Sequence, residues 1–152
     1  MLRPEYFTTQ LNVALDFARM ERRYARDSTP ILLTTIYLSY ERLRDTYANA
    51  NAYVMPSNEG CGLIQLEAMS CGTPVIGLDY GAGKEFINDR NGFLAPVENM
   101  SVSKDLNALP TVEDELTAPS ANNLRCLMRE AFEKPAETRG KGEQARRDCE
   151  AR

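Results

Sequence analysis

The chain of 152 residues has no histidine and no tryptophan. Without imidazole, His-based zinc sites, Ser-His-Asp and Cys-His catalysis and a histidine pH switch are all excluded. Long apolar runs are missing too. No stretch approaches the roughly 18 apolar residues of a membrane span, and Met1-Leu2-Arg3-Pro4-Glu5 lacks a signal-type apolar core. Positive charge is in short supply, with 18 Lys and Arg against 22 Asp and Glu and a net charge of -4. That balance argues against nucleic acid as a partner, because a phosphate backbone demands a broad cationic face. The four cysteines Cys61, Cys71, Cys126 and Cys149 form no C-x-x-C pair. Their spacing reads as free thiols in a reducing compartment, so the expected location is cytoplasmic.

Hydrophobic residues make up 43% of the chain and charged residues 26%, which together with the length predicts a single globular domain over 1-152. Phe7, Leu11, Leu15 and Ala18 recur at helical intervals, and Arg19, Arg22, Arg23 and Arg26 crowd the end of that segment, where a helix dipole favours cations. After Thr29-Pro30, the β-branched run from Ile31 to Ile36 reads as a strand. Ser39 caps a helix reaching about Ala48, with Tyr40, Leu43 and Tyr47 on one side. Strands are expected at Asn51 to Met55, Pro74 to Gly77 and Gly92 to Ala95. Helices are expected at about Gly62 to Cys71, Lys84 to Ile87, Ser120 to Glu133 and Ala136 to Ala151, the last two separated at Pro135. Between residues 98 and 119, five acids face one lysine, and this stretch reads as a surface excursion. Strands alternating with helices imply βαβ units, a parallel sheet and helices on its faces.

The chemistry concentrates in the stretch from Pro56 to Ile76. There a strand ends, a turn holding Gly60 and Gly62 follows, and a helix begins with its free N-H groups aimed at the C-terminal edge of the sheet. Such an edge is where open α/β sheets bind ligands, and a helix N-terminus favours an anion there. Glu67 shares a helical face with Leu63, Ile64, Ser70 and Cys71, whereas Gln65 is assigned to the opposite, more solvated side. A carboxylate in that setting suits a vicinal diol, which offers it two donors. Glu59 lies just before the helix and can border the same crevice. Taken singly, two glutamates eight apart are ordinary surface charges, and Lys84-Glu85 after Gly81-Ala82-Gly83 is an ordinary solvated helix start.

Taken together, Pro-Ser-x-Glu-Gly-x-Gly-Leu, Leu-Glu-Ala-Met and Cys-Gly-Thr-Pro-Val-Ile-Gly resemble the donor-binding half of GT-B glycosyltransferases of the family 4 type. Gly81 to Glu85, the turn at Asn91-Gly92-Phe93-Leu94 and the tail at Leu124-Arg125-x-Leu-Met-Arg with Ala145-Arg146 also match, so the likeness runs from about Pro30 to Arg152. The resemblance implies an α/β fold with a Rossmann-like parallel sheet and flanking helices, the C-terminal half of a GT-B fold, incomplete at its N-terminus. It implies a nucleoside-diphosphate sugar as donor substrate, a retaining hexosyl transfer, no cofactor and no metal; no Asp-x-Asp pair occurs.

In the terms of that family, Glu67 holds the nucleotide ribose and Glu59 borders the transferred hexose as the catalytic candidate. Gly60, Cys61, Gly62 and Leu63 face the sugar and the diphosphate. The family's acceptor-binding domain has no counterpart in these residues, nor has the opening strand with its diphosphate-clamping Arg and Lys. Three readings follow. The chain is the donor half of a glycosyltransferase, inactive alone; or a non-catalytic nucleotide-sugar-binding subunit that pairs with a separate acceptor-domain protein; or a decayed fragment.

Overall fold

The computed structural model describes residues 37–56, 60–99 and 117–152, with the backbone alone for 99 and 117–119. The helix expected from about Glu5 to Asp27 and the strand from Ile31 to Ile36 lie outside the described residues, as does Glu59. From Ser39 onward the chain forms one compact unit.

Helix α1 (Tyr40–Ala48) begins where Ser39 accepts a bond from the Arg42 N-H at 3.4 Å. Tyr47 is buried, but Tyr40 is 83% exposed, so only the Leu43 and Tyr47 part of the expected stripe packs inward. Strand β1 (Tyr53–Val54) is shorter than the run from Asn51 to Met55. Its backbone is nevertheless tied to one neighbouring strand, Tyr53 N-H to the Pro74 carbonyl at 2.9 Å and Met55 N-H to that of Ile76 at 3.0 Å. Helix α2 (Leu63–Ser70) leads to β2 (Val75–Leu78), a short 3₁₀ helix (Gly81–Glu85) and β3 (Gly92–Ala95).

These three strands form one parallel sheet in the order β1-β2-β3, with Val54 opposite Ile76 and Ile76 opposite Phe93. The two-residue period divides the sheet into two faces. On one face Tyr53, Val75 and Leu94 meet Leu43 and Tyr47 of α1, Leu66, Ala68 and Met69 of α2, and Ala145 and Cys149 of the last helix. On the other, Val54, Ile76 and Phe93 meet Leu124, Leu127 and Ala131. All four residues of β2 are buried, as befits a central parallel strand covered on both sides.

The stretch from 98 to 119, expected as a surface excursion, has strands at the ends that the structure describes. Its ends pair as an antiparallel ribbon, β4 (Val97–Asn99) with β5 (Thr117–Pro119). Helix α3 (Ala121–Glu133) then starts at Ser120, whose hydroxyl accepts from the Asn123 N-H at 3.1 Å. Helix α4 (Pro135–Glu150) starts at Pro135, where a missing N-H costs nothing because the first helical donors have no intrahelical partner.

Candidate functional site

In a parallel sheet all strands end on one edge, and α2 starts at that edge directly behind β1. Gly62 is its N-cap residue with φ of 69°, in the left-handed region that glycine occupies at no steric cost. A side chain there would also overlap the Phe86 ring. Gly62 has no side chain with which to cap the helix, so among the described residues no side chain accepts from the amide groups of its first turn.

Beside this N-terminus stands the 3₁₀ helix that follows β2. Lys84 on it is paired with Asp79, the residue just past β2, at 2.9 Å. Tyr80 between them is 48% exposed. Lys84, read from the sequence as a solvated residue, is thus exposed but held by a partner at the candidate crevice. Such an exposed pair contributes little to stability and leaves the ammonium free to exchange partners.

Of the expected site residues, Gly60 and Cys61 are exposed in the turn, Gly62 is buried as the cap, and Leu63 opens α2 at 64% exposure. Glu67 stands one turn further on, exposed, on the same open face as Leu63, Ile64 and Ser70. The carboxylate is therefore accessible to a ligand at the edge. Nothing places Glu59 beside it, since that residue lies outside the described ones.

One expectation is reversed. Gln65 is not on the solvated side of α2: it is 2% exposed, while Leu63 and Ile64 are the residues left open. The helix turns Gln65, Ala68 and Met69 toward the sheet. The grouping of residues into faces is as expected, but water lies on the side of Glu67. Three glycines border the Gln65 carboxamide. A Cβ at Gly62 or Gly83 would stand 3.1 Å from its Oε1, and one at Gly77 would stand 3.6 Å from its Nε2. Oε1 has no hydrogen-bond partner. An orphaned buried acceptor of this kind costs about 1–3 kcal/mol. The signal that could have found it was the set of three glycines in the helix cap, in β2 and in the 3₁₀ helix, which makes room for a polar side chain among them.

The support behind the site is well bonded. Asn91, 1% exposed, donates to the Phe86 carbonyl at 2.9 Å and to Asp148 of α4 at 2.7 Å, and accepts from the Asn88 N-H at 2.8 Å. The Asn91 and Gln144 amides hold the Asp148 carboxyl below its ordinary value. Lys141 donates to the Asp89 carbonyl and lies 4.8 Å above the Phe93 ring. At the opposite, N-terminal edge of the sheet a cavity of about 540 Å³ is lined by Asn49, Asn51, Gly72, Phe132 and Arg139 among others, with Arg139 its one charged group among the described residues. Among the described residues no cluster of three potential metal ligands occurs, and no helix is long and apolar enough to cross a membrane.

The chain matches the family Glycosyl transferases group 1 over residues 17–109, more than half of its length. That match begins ahead of Pro30, where the motif-based likeness starts. It is 43% identical over 61 residues to a D-inositol 3-phosphate glycosyltransferase of Streptomyces bingchenggensis, covering 39% of this chain and 13% of the relative. It is 32% identical over 91 residues to a GDP-mannose-dependent monoacylated alpha-(1-6)-phosphatidylinositol monomannoside mannosyltransferase of Corynebacterium glutamicum, covering 55% of this chain and 23% of the relative. Among solved structures it resembles the sucrose-phosphate synthase of Thermosynechococcus elongatus, with a TM-score of 0.64 and 26% identity over 89% of this chain and 29% of that one. The chain thus spans less than a third of the length of each of these proteins.

Proposed function

The chain belongs to the glycosyl transferases group 1, and on that premise we propose that it is the donor-binding part of a retaining hexosyltransferase. It takes a nucleoside-diphosphate sugar at the C-terminal edge of its sheet. The observation that carries this reading is the uncapped N-terminus of α2, opening beside the Gly81–Glu85 turn with Glu67 accessible one turn behind it.

The chemistry follows from charge. When the glycosidic bond to the diphosphate breaks, negative charge grows on the leaving oxygens, and preoriented amide N-H groups stabilise it without reorganisation. Gly60, Cys61, Gly62 and Leu63 present backbone to the diphosphate and the sugar. Glu67 accepts from the ribose hydroxyls, and Glu59 borders the hexose. Lys84 adds a cation within the same crevice, available by exchange from Asp79. The reading includes no metal and no cofactor. An acceptor-binding domain faces this edge, and the exposed Leu63, Ile64 and Tyr80 are the apolar groups it would meet.

The test is a pair of binding isotherms for UDP and GDP beside those for UDP-glucose and GDP-mannose. Glu67→Gln keeps the shape but loses the charge, and should weaken the bare nucleotide by roughly 1 to 3 kcal/mol. Glu59→Gln should leave bare nucleotide nearly unchanged and act on the sugar nucleotide alone. Equal weakening of bare nucleotide by both substitutions overturns this division of roles. Binding without hexosyl transfer, even after an acceptor-binding domain is supplied, marks the chain as a non-catalytic subunit, and no binding at all marks it as a decayed fragment.

A further inference from the structure

Gln65 occupies the third position of α2, inside the turn whose amide groups open at the sheet edge. Its oxygen is enclosed, lacks a partner, and lies close to two glycine turns at once, the Gly62 cap and Gly83. A Cβ on either glycine would stand 3.1 Å from this acceptor, so the backbone of both turns passes close beside it. Glycine is the residue for which peptide rotations are sterically open. Gly60, two residues before the cap, is exposed and has no atom of the other described residues within 4 Å of where its Cβ would be. Gly83 is more confined, buried within the 3₁₀ helix and accepting from the Phe86 and Ile87 N-H groups. Gly62 is buried too, with the Phe86 ring where its Cβ would be, so the open side of that turn is at Gly60 and Cys61, both exposed.

We propose that Gln65 is a positioning residue of the donor site: its buried oxygen is the acceptor onto which the Gly60 to Gly62 turn closes when a nucleoside-diphosphate sugar engages the N-terminus of α2. The inference rests on the donor-binding reading above. In the free protein the acceptor stays unsatisfied. When the diphosphate draws the amide groups of the turn toward itself, the peptide flanking Gly62 rotates and one N-H reaches Oε1. Ligand binding and satisfaction of the buried amide are then one event, and part of the stabilisation appears only with donor bound. A carboxamide is suited to this, because a phosphate oxygen could not donate to Oε1 whereas a backbone amide can.

The experiment compares the full chain with its Gln65→Leu variant, which keeps similar bulk and removes the orphaned acceptor. Melting temperature is measured alone and with millimolar UDP-glucose or GDP-mannose, and hydrogen exchange of the amides from residue 60 to 64 is followed with and without each ligand. The variant alone should melt at or above the wild-type temperature. Its affinity for whichever sugar nucleotide binds should fall by about tenfold. The ligand-induced protection of the Gly60 to Gly62 amides, present in wild type, should be lost. A variant that melts well below wild type shows that the oxygen is already bonded in the free protein, and overturns the inference even where both ligands bind. Equal affinity and equal protection in the two proteins overturn it as well. If neither nucleotide sugar binds wild type, the donor-binding reading itself fails and the inference falls with it. Gln65→Glu retains an acceptor at the same place. It should recover protection of the turn at a cost in melting temperature, and failure to recover it also counts against the closure.

Discussion

Gly142 of α4 lies against the backbone carbonyl of Gly72, so closely that a Cβ at 142 would overlap that oxygen and press on the Pro74 ring. This contact sets the depth at which α4 seats behind α2, since Gly72 is the turn that links α2 to β2. The helix that bears the candidate site is thereby held from its C-terminal end, while Leu63 at its N-terminus is exposed.

Gly142→Ala provides a test in which two effects oppose each other. In an exposed helix interior this change gains about 1 kcal/mol, because alanine is the better helix former. Here the added methyl has nowhere to go, and overpacking against backbone costs about 1–3 kcal/mol. The expected result is a net loss of stability in urea unfolding, whereas Gly140→Ala two residues away, with open space at its Cβ, should be neutral or stabilising.

The Asp148 carboxylate predicts an acid dependence of stability. Its two amide partners, Asn91 and Gln144, each at 2.7 Å, favour the charged form and lower its value below the ordinary 3.8; Arg90 and Arg147 act in the same direction. A carboxyl with a lowered value in the folded state contributes stability that is present above the unfolded value and is lost as pH falls through the folded one. Wild type should therefore be more stable than Asp148→Asn at neutral pH, with the difference shrinking below the ordinary Asp value. Melting curves from pH 7 to strongly acidic conditions check this, and a pH-independent difference between the two would contradict it.

Thiol labelling separates the four cysteines. Cys61 and Cys126 are exposed, while Cys71 and Cys149 are partly buried and burial pushes the Cys149 thiol up. In the native protein Cys61 and Cys126 should react with iodoacetamide well ahead of Cys149, and all four should react alike in denaturant. Because Cys61 sits in the turn before α2, a bound sugar nucleotide should slow its labelling and leave Cys126 unaffected. Peptide mapping by mass spectrometry reads both outcomes.

Much of this arrangement was legible along the chain. Helix starts at Ser39 and Ser120 depend on local chemistry, a hydroxyl that accepts an amide, and Pro135 separates the last two helices as expected but itself opens the second, one residue ahead of Ala136. The strand from Gly92 to Ala95 and the parallel order of the sheet follow from apolar runs separated by helices, because a strand crossing back to run parallel needs such a connection. Other features depend on partners distant in sequence. The pairing of Val97–Asn99 with Thr117–Pro119 joins segments whose own residues carry no strand pattern. The orientation of α2 is the clearest instance. Leu63, Ile64, Leu66, Ala68 and Met69 put apolar side chains all round an eight-residue helix, so no periodicity chooses an inner face. That choice was made by the sheet and by α4, which pack on Ala68 and Met69 and carry Gln65 inside with them, leaving Glu67 to the solvent. Sequence alone determined which residues could form the site; the packing of α2 between β2 and α4 decided that Glu67 and Ser70 face solvent while Gln65 does not, because burial is a property of neighbours and not of the helix itself.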